Sequence, residues 1–189
     1  VAPYNNKPTQ EGLYQHFKAI NDAVDIPIIL YNVPGRTIVD IKDETIARLA
    51  ELPNIVGLKD ATGDLARPYT LRAKLKKDFC LLSGEDQTAV AFNVSGGQGC
   101  ISVASNIMPK ACAEVQEACL KKDYVSALTL HDRLVALNSV LFCETSPGPV
   151  KYAASLMGKC LANLRLPLVD VSETSQKEIE KILNNLRLL

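Results

Sequence analysis

The 189-residue chain has no net charge: 21 lysines and arginines balance 21 aspartates and glutamates. With no global field and no basic patch, nothing draws in nucleic acid or an anionic membrane. Long apolar runs are also lacking. Those present are strand-sized, far below the roughly 18 residues of a membrane helix, and the opening residues carry no signal-peptide pattern. The six cysteines, Cys80, Cys100, Cys112, Cys119, Cys143 and Cys160, show no C-x-x-C spacing, and the only two histidines, His16 and His131, stand far apart. This argues against a metal site and suits a reduced, cytoplasmic protein with structural thiols. No G-x-G-x-x-G follows an apolar run, which counts against a dinucleotide-binding fold. No low-complexity linker interrupts the chain, so no flexible join is expected. The first residue is Val1 rather than methionine, and Val1-Ala2-Pro3 reads as the tail of a strand, so a preceding N-terminal portion is expected.

What is present is ample core material, 47% apolar residues, enough for one domain or one domain with a small appendage. Thr9 and Gly12 introduce a helix to about Val24, with Leu13, Phe17, Ile20 and Val24 at helical spacing. Residues 27–31 read as a strand with 32–37 as its exit loop, and Asp43 and Glu44 open a helix through Leu52. A strand then runs to Lys59, followed by a helix from about Leu65 to Lys77 with Asp64 as N-cap and Pro68 in its first turn. Residues 79–83 and 100–103 read as further strands, with a helix over 85–94 between them.

Strand ends thus recur near Tyr31, Lys59, Ser83 and Val103, in strands too apolar to face water on either side. That pattern specifies a parallel α/β sheet with crossover helices. From Asn106 onward only helices are expected, over about 107–121, 124–142, 150–157 and 173–186, with Pro147 and Pro149 as a rigid break. About four strands suit either a small doubly wound fold or part of a (β/α)8 barrel, which needs about 250 residues in full. The barrel reading assigns residues 1–122 to a partial barrel, its first strands missing, and 123–189 to a helical C-terminal region.

Lys59 ends a buried run, an unusual place for a charge. Such a lysine either snorkels to water or stays in a dry pocket, where desolvation frees the amine to form a Schiff base with a carbonyl. Tyr31, at a neighbouring strand end, is either a proton relay for that step or a packed ring with its hydroxyl in water. Arg36 is either a carboxylate fork or a solvated loop cation. Asp60, Asp64, Glu85 and Asp86 fall near helix starts, where charge complementarity explains them. The glycine-rich stretch 95–99 precedes its strand and reads as a helix-ending turn.

Tyr31-Asn32-Val33-Pro34-Gly35-Arg36-Thr37 followed by Gly57-Leu58-Lys59-Asp60-Ala61-Thr62-Gly63 closely resembles the dihydrodipicolinate synthase family of pyruvate-dependent class I aldolase-type enzymes. The similarity continues through residues 82–86, 99–103 and 147–151 and covers essentially the whole chain. It implies a barrel fold and a cofactor-independent lyase acting on pyruvate and aspartate semialdehyde toward diaminopimelate and lysine. It further implies Lys59 as the Schiff-base lysine, Tyr31 as the proton-passing tyrosine, Arg36 as the holder of the semialdehyde carboxylate and Ile101 as backbone lining the pyruvate site. A homotetramer is the usual family assembly. The family's Gly-x-x-Gly-Glu segment and threonine pair do not occur here, and Asn5 stands where a second relay tyrosine is usual. Tyr4 matches the tyrosine before it, near the subunit interface where lysine inhibits some members. Two other readings compete. One is a related pyruvate lyase such as N-acetylneuraminate lyase, disfavoured because such enzymes generally lack an arginine at the Arg36 position. The other is a non-catalytic remnant whose exposed edges invite aggregation.

Overall fold

Thr9 starts the first helix: its hydroxyl accepts a hydrogen bond from the Gly12 N–H at 3.2 Å. In the computed structural model, which describes residues 1–76 and 78–189, helix α1 then spans Gln10–Ala23. Strands β1 (Ile28–Asn32), β2 (Ile55–Asp60) and β3 (Cys80–Ser83) pair in parallel in the order β1-β2-β3. They alternate with α2 (Pro34–Thr37), α3 (Asp43–Leu49), α4 (Arg67–Lys74) and α5 (Ala89–Val94). The expected end of the fourth helix at Lys77 lies outside the described residues.

Strand side chains alternate between faces, and Leu30, Leu58 and Leu81 stand side by side in register. All three are buried, in one cluster with Leu13 and Phe17 of α1, Ile46 and Leu49 of α3, Leu71 of α4 and Phe92 of α5. Each such side chain contributes roughly 1.5–3 kcal/mol by leaving water. Ile29 and Val56, by contrast, are 44% and 36% exposed. The expectation that these strands are covered on both sides therefore fails for this part of the chain: helices fill one face, and the intervening positions stay open.

Gly57 is required by close strand approach. A Cβ there would lie 2.7 Å from the Cys80 carbonyl oxygen, which belongs to the backbone and cannot rotate away. Gly57→Ala is expected to cost about 1–3 kcal/mol, read as a lower urea midpoint; an unchanged midpoint would refute the close-packing role.

The expected fourth strand reduces to a single bridge between Ser83 and Cys100. Ser83 donates to the Gly99 carbonyl and accepts from Ile101, each at 2.9 Å. The ladder stops there because the chain turns at once: Ser102 Oγ accepts from the Ser105 N–H at 2.8 Å, leading into a short 3-10 turn at Ala104–Asn106. The glycine-rich stretch is a helix-ending turn, as its position ahead of the bridge suggested. Gly96 has φ of +109°, Gly97 donates to the Phe92 carbonyl at 3.0 Å and Gln98 donates to the Leu81 carbonyl at 2.8 Å.

Val1–Ile101 forms one compact unit and Ser102–Leu189 a second. The second unit holds α6 (Pro109–Leu120), α7 (Tyr124–Asp132), α8 (Val135–Val140), α9 (Gly148–Leu156) and α10 (Glu173–Asn185). The single helix expected over 124–142 is two, α7 and α8, joined by a tight turn in which Leu134 donates to the His131 carbonyl at 2.8 Å. Leu137 and Leu141 of the α8 segment, with Ile179 and Leu183 of α10, are fully buried. Asp123 and Ser172 cap α7 and α10. Among the described residues no helix is long and apolar enough to cross a membrane.

Candidate active site

Parallel register makes Tyr31 and Lys59 direct neighbours across β1 and β2, with Leu82 next on β3. All three are half-buried and lie on the face away from the leucine cluster. The Lys59 Nζ sits 4.1 Å from the centroid of the Tyr31 ring, within cation–π range. Burial pushes the Lys59 amine below the ordinary lysine range, and the positive charge of Arg36 pushes the same way, while Cys100 and Asp86 act against them.

Arg36 reaches this neighbourhood because its loop is wound into the one-turn helix α2. Pro34 starts the turn, and Ile38, in the left-handed conformation, closes it by donating to the Pro34 carbonyl at 2.8 Å. The Thr37 hydroxyl donates to the Val39 carbonyl at 2.9 Å, pinning the exit. The Arg36 side chain is exposed, and Ile101, 44% exposed, lies at the bridge beside β3. Tyr31, Lys59 and Arg36 are thus electrostatic or contact neighbours, with Ile101 one bridge beyond β3. Tyr4, Asn5 and His16 line a separate open cavity of about 620 Å³ with Pro3, Pro8 and Gly12. Among the described residues no three or more histidine, cysteine, aspartate or glutamate side chains gather as a metal site.

One residue farther along each strand, Asn32, Asp60 and Ser83 form a second row, facing the helices and buried. This corrects the reading of Asp60 as a helix-start charge: it is the last residue of β2. Its Oδ1 accepts from the Thr62 N–H at 3.0 Å, and its Oδ2, 3.8 Å from Arg67 Nε, accepts no hydrogen bond. Asp64 is not the N-cap of α4 either. Its Oδ1 accepts from the Ala66 N–H at 2.9 Å, ahead of the helix.

Arg67, which sequence reasoning passed over, is the hub of this second row. Only 6% exposed, it donates to Asp40 Oδ1 at 2.8 Å and to the Ile41 carbonyl, and its Nε lies 3.0 Å from Asp43 Oδ1. Asn32 joins the same cluster, donating to Asp40 Oδ1 at 2.7 Å and accepting from the Ile41 N–H at 3.0 Å. Burial raises the Asp60 carboxyl above its usual range despite Arg67 nearby, whereas hydrogen bonding and the charges of three carboxylates hold the guanidinium firmly protonated against its own burial. One cation among three carboxylates leaves the most deeply buried of them, Asp60, the least compensated. A signal was there to be read: a cation at the first position of α4 opposes the helix dipole, so it needs carboxylates from elsewhere.

Comparison with known proteins places the chain in a family. The sequence model of the dihydrodipicolinate synthetase family matches residues 1–186. The 4-hydroxy-tetrahydrodipicolinate synthase of Rhodospirillum centenum is 55% identical over 189 residues, covering all of this chain and 65% of its own. Among solved structures, dihydrodipicolinate synthase from Aquifex aeolicus superposes with a TM-score of 0.97 at 41% identity, over 99% of this chain and 64% of its own. The chloride-inhibited dihydrodipicolinate synthase of Acinetobacter baumannii, in complex with pyruvate, gives 0.95 at 48% identity, over 99% and 64%. The chain therefore spans about 65% of the length of the curated relatives it matches. Parallel βα order, motif residues and similarity along the whole chain converge: this chain belongs to the dihydrodipicolinate synthetase family, and its α/β fold is that of part of the family's barrel.

Proposed function

We propose that a protein carrying this chain at the relatives' full length is a 4-hydroxy-tetrahydrodipicolinate synthase, condensing pyruvate with L-aspartate semialdehyde toward diaminopimelate and lysine. The observation that carries the reading is a partly desolvated amine, Lys59, resting on the ring of Tyr31 at adjacent strand ends. The Nζ lone pair attacks the ketone carbon of pyruvate; a C–N bond forms and the carbonyl oxygen takes a proton. The Tyr31 hydroxyl delivers a proton to the resulting carbinolamine, whose hydroxyl leaves as water while the C=N bond closes. Loss of a methyl proton then gives an enamine, whose carbon adds to the aldehyde carbon of the semialdehyde as the aldehyde oxygen takes a proton and the C=N bond re-forms. The semialdehyde's own amino group then attacks the C=N carbon, closing the ring while the bond to Lys59 Nζ breaks and the nitrogen leaves as the free amine. Arg36 holds the semialdehyde's carboxylate as a bidentate fork, and the Ile101 backbone lines the pyruvate site. No cofactor enters the scheme.

In this reading residues 1–122 are barrel, with α6 as the helix after the Cys100 bridge, and 123–189 are the helical region. The assembly is a homotetramer. Six cysteines in no disulfide support a reduced, cytoplasmic setting. A second reading applies to the 189 residues on their own: the open sheet face at Ile29 and Val56 and the half-buried state of Lys59 favour an inactive chain.

Incubation with pyruvate followed by borohydride reduction and peptide mapping tests both. In a chain of full length, for example with the first part of the Rhodospirillum centenum synthase fused ahead of Val1, one carboxyethyl group is expected, on Lys59. Because the amine titrates below the ordinary lysine range, its free fraction grows with pH earlier than that of a surface lysine. Trapping should therefore reach half its maximal rate at a pH below about 10.4. An adduct on a different lysine overturns the assignment. Trapping in the long chain but not in the isolated one assigns inactivity to the isolated 189 residues.

A further inference from the structure

We infer that Arg67 and Asp60 are positioning residues for Lys59, clamping the ends of β1 and β2 so that the amine stays over the Tyr31 ring; the inference rests on Lys59 being the nucleophile. Asn32 follows Tyr31 and Asp60 follows Lys59, and the two are paired across the strands. Alternation turns each to the opposite face from its neighbour. There Asn32 and Arg67 share a single oxygen, Asp40 Oδ1, at 2.7 and 2.8 Å. Arg67 simultaneously engages Asp60 at 3.8 Å, Asp43 at 3.0 Å and the Ile41 carbonyl. The guanidinium thus ties the last residue of β2 and, through Asp40, the last residue of β1 to the starts of α3 and α4.

A planar, five-donor guanidinium can bridge these groups at once, and a lysine ammonium cannot reproduce the fork. The backbone step from Asn32 back to Tyr31, and from Asp60 back to Lys59, is a single rigid strand residue. A shift of either strand end therefore moves the phenol or the amine directly, and a displacement near 1 Å is enough to cost about 100-fold in rate. Neither Arg67 nor Asp60 is on the face that carries Tyr31 and Lys59, so their effect is on placement.

The test compares wild type, Asp60→Asn, Arg67→Met and Arg67→Lys in the full-length protein, with lysine labelled with carbon-13. With the Lys59 Nζ 4.1 Å from the ring centroid, the Tyr31 ring current is expected to shift the Lys59 ε-methylene protons upfield in wild type. Asp60→Asn and Arg67→Met are expected to lose most of that shift while remaining folded by circular dichroism. Turnover should fall about 10- to 100-fold, with the KM for pyruvate changing less than about threefold, and Arg67→Lys should restore part of both. If Arg67→Met does not fold, Asp60→Asn carries the same readouts. A lower melting temperature with an unchanged ring-current shift and unchanged turnover would reduce the cluster to scaffold and overturn the inference. Absence of a pyruvate adduct on wild-type Lys59 would instead fail the nucleophile reading, and the ring-current shift still reports whether Arg67 holds the two side chains together.

Discussion

Replacing Lys59 by methionine in the full-length protein is expected to abolish borohydride trapping of pyruvate and to lower turnover by about 10⁴-fold or more. Covalent capture as an imine needs a nucleophilic amine at this strand end; the Tyr31 phenol has no nitrogen, and the Arg36 guanidinium is not a nucleophile. Lys59→Arg should fail equally, since a guanidinium keeps the charge but is not nucleophilic in proteins. Stability separates this outcome from misfolding. The environment disfavours the cation at position 59, so an apolar side chain of similar length should leave the melting temperature unchanged or raised. A Lys59→Met protein that folds and still captures pyruvate would end the Schiff-base assignment, and the measurement is turnover alongside a mapped adduct.

Arg67→Met is expected to destabilise the fold by about 3–5 kcal/mol, the usual consequence of removing one partner from a buried charge cluster. The loss exceeds that of a surface ion pair because Arg67 is only 6% exposed and faces Asp40, Asp43 and Asp60 together. Without it the Asp60 carboxylate, in a residue at 3% exposure, retains among the described residues only Thr62 as a hydrogen-bond partner, and Asp40 loses the cation that it shares with Asn32. Surface pairs such as Lys18–Asp22 and Lys74–Glu44 lie in water and are screened by it, so breaking one should by comparison leave stability nearly unchanged. Urea unfolding at neutral pH decides between the two cases: a change below about 1 kcal/mol for Arg67→Met would show the cluster to be no stronger than a solvated pair.

The range of the forces involved explains why some of these features are legible in the amino-acid order and others are not. Thr9 caps α1 because a hydroxyl three residues from an N–H is a local fact, and Leu13 and Phe17 are buried because helical spacing puts them on one stripe. Lys59 stands out because a charge closing an apolar run is visible in one dimension. Arg67 does not, since nothing within a few residues of it explains its burial: its partners Asp40 and Asp43 are 27 and 24 residues away along the chain, as the numbering gives directly. Asp60 passes for a helix-start charge for the same reason, its row with Asn32 and Ser83 existing only through strand pairing. The apolar strands promise two covered faces, but apolar content does not say which partner covers each face, and Ile29 and Val56 remain exposed.

The amino-acid sequence by itself determined the alternation of strands and helices, the nucleophile candidate at a strand end and the motif that ties the chain to its family, because each is written in local spacing. Only the tertiary structure decided that the Lys59 amine lies 4.1 Å over the Tyr31 ring, that Asp60 and Asn32 meet behind them, and that Arg67 binds both strand ends together. Register and buried charge compensation depend on groups brought together from distant parts of the chain, and such distances exist only once the strands have paired.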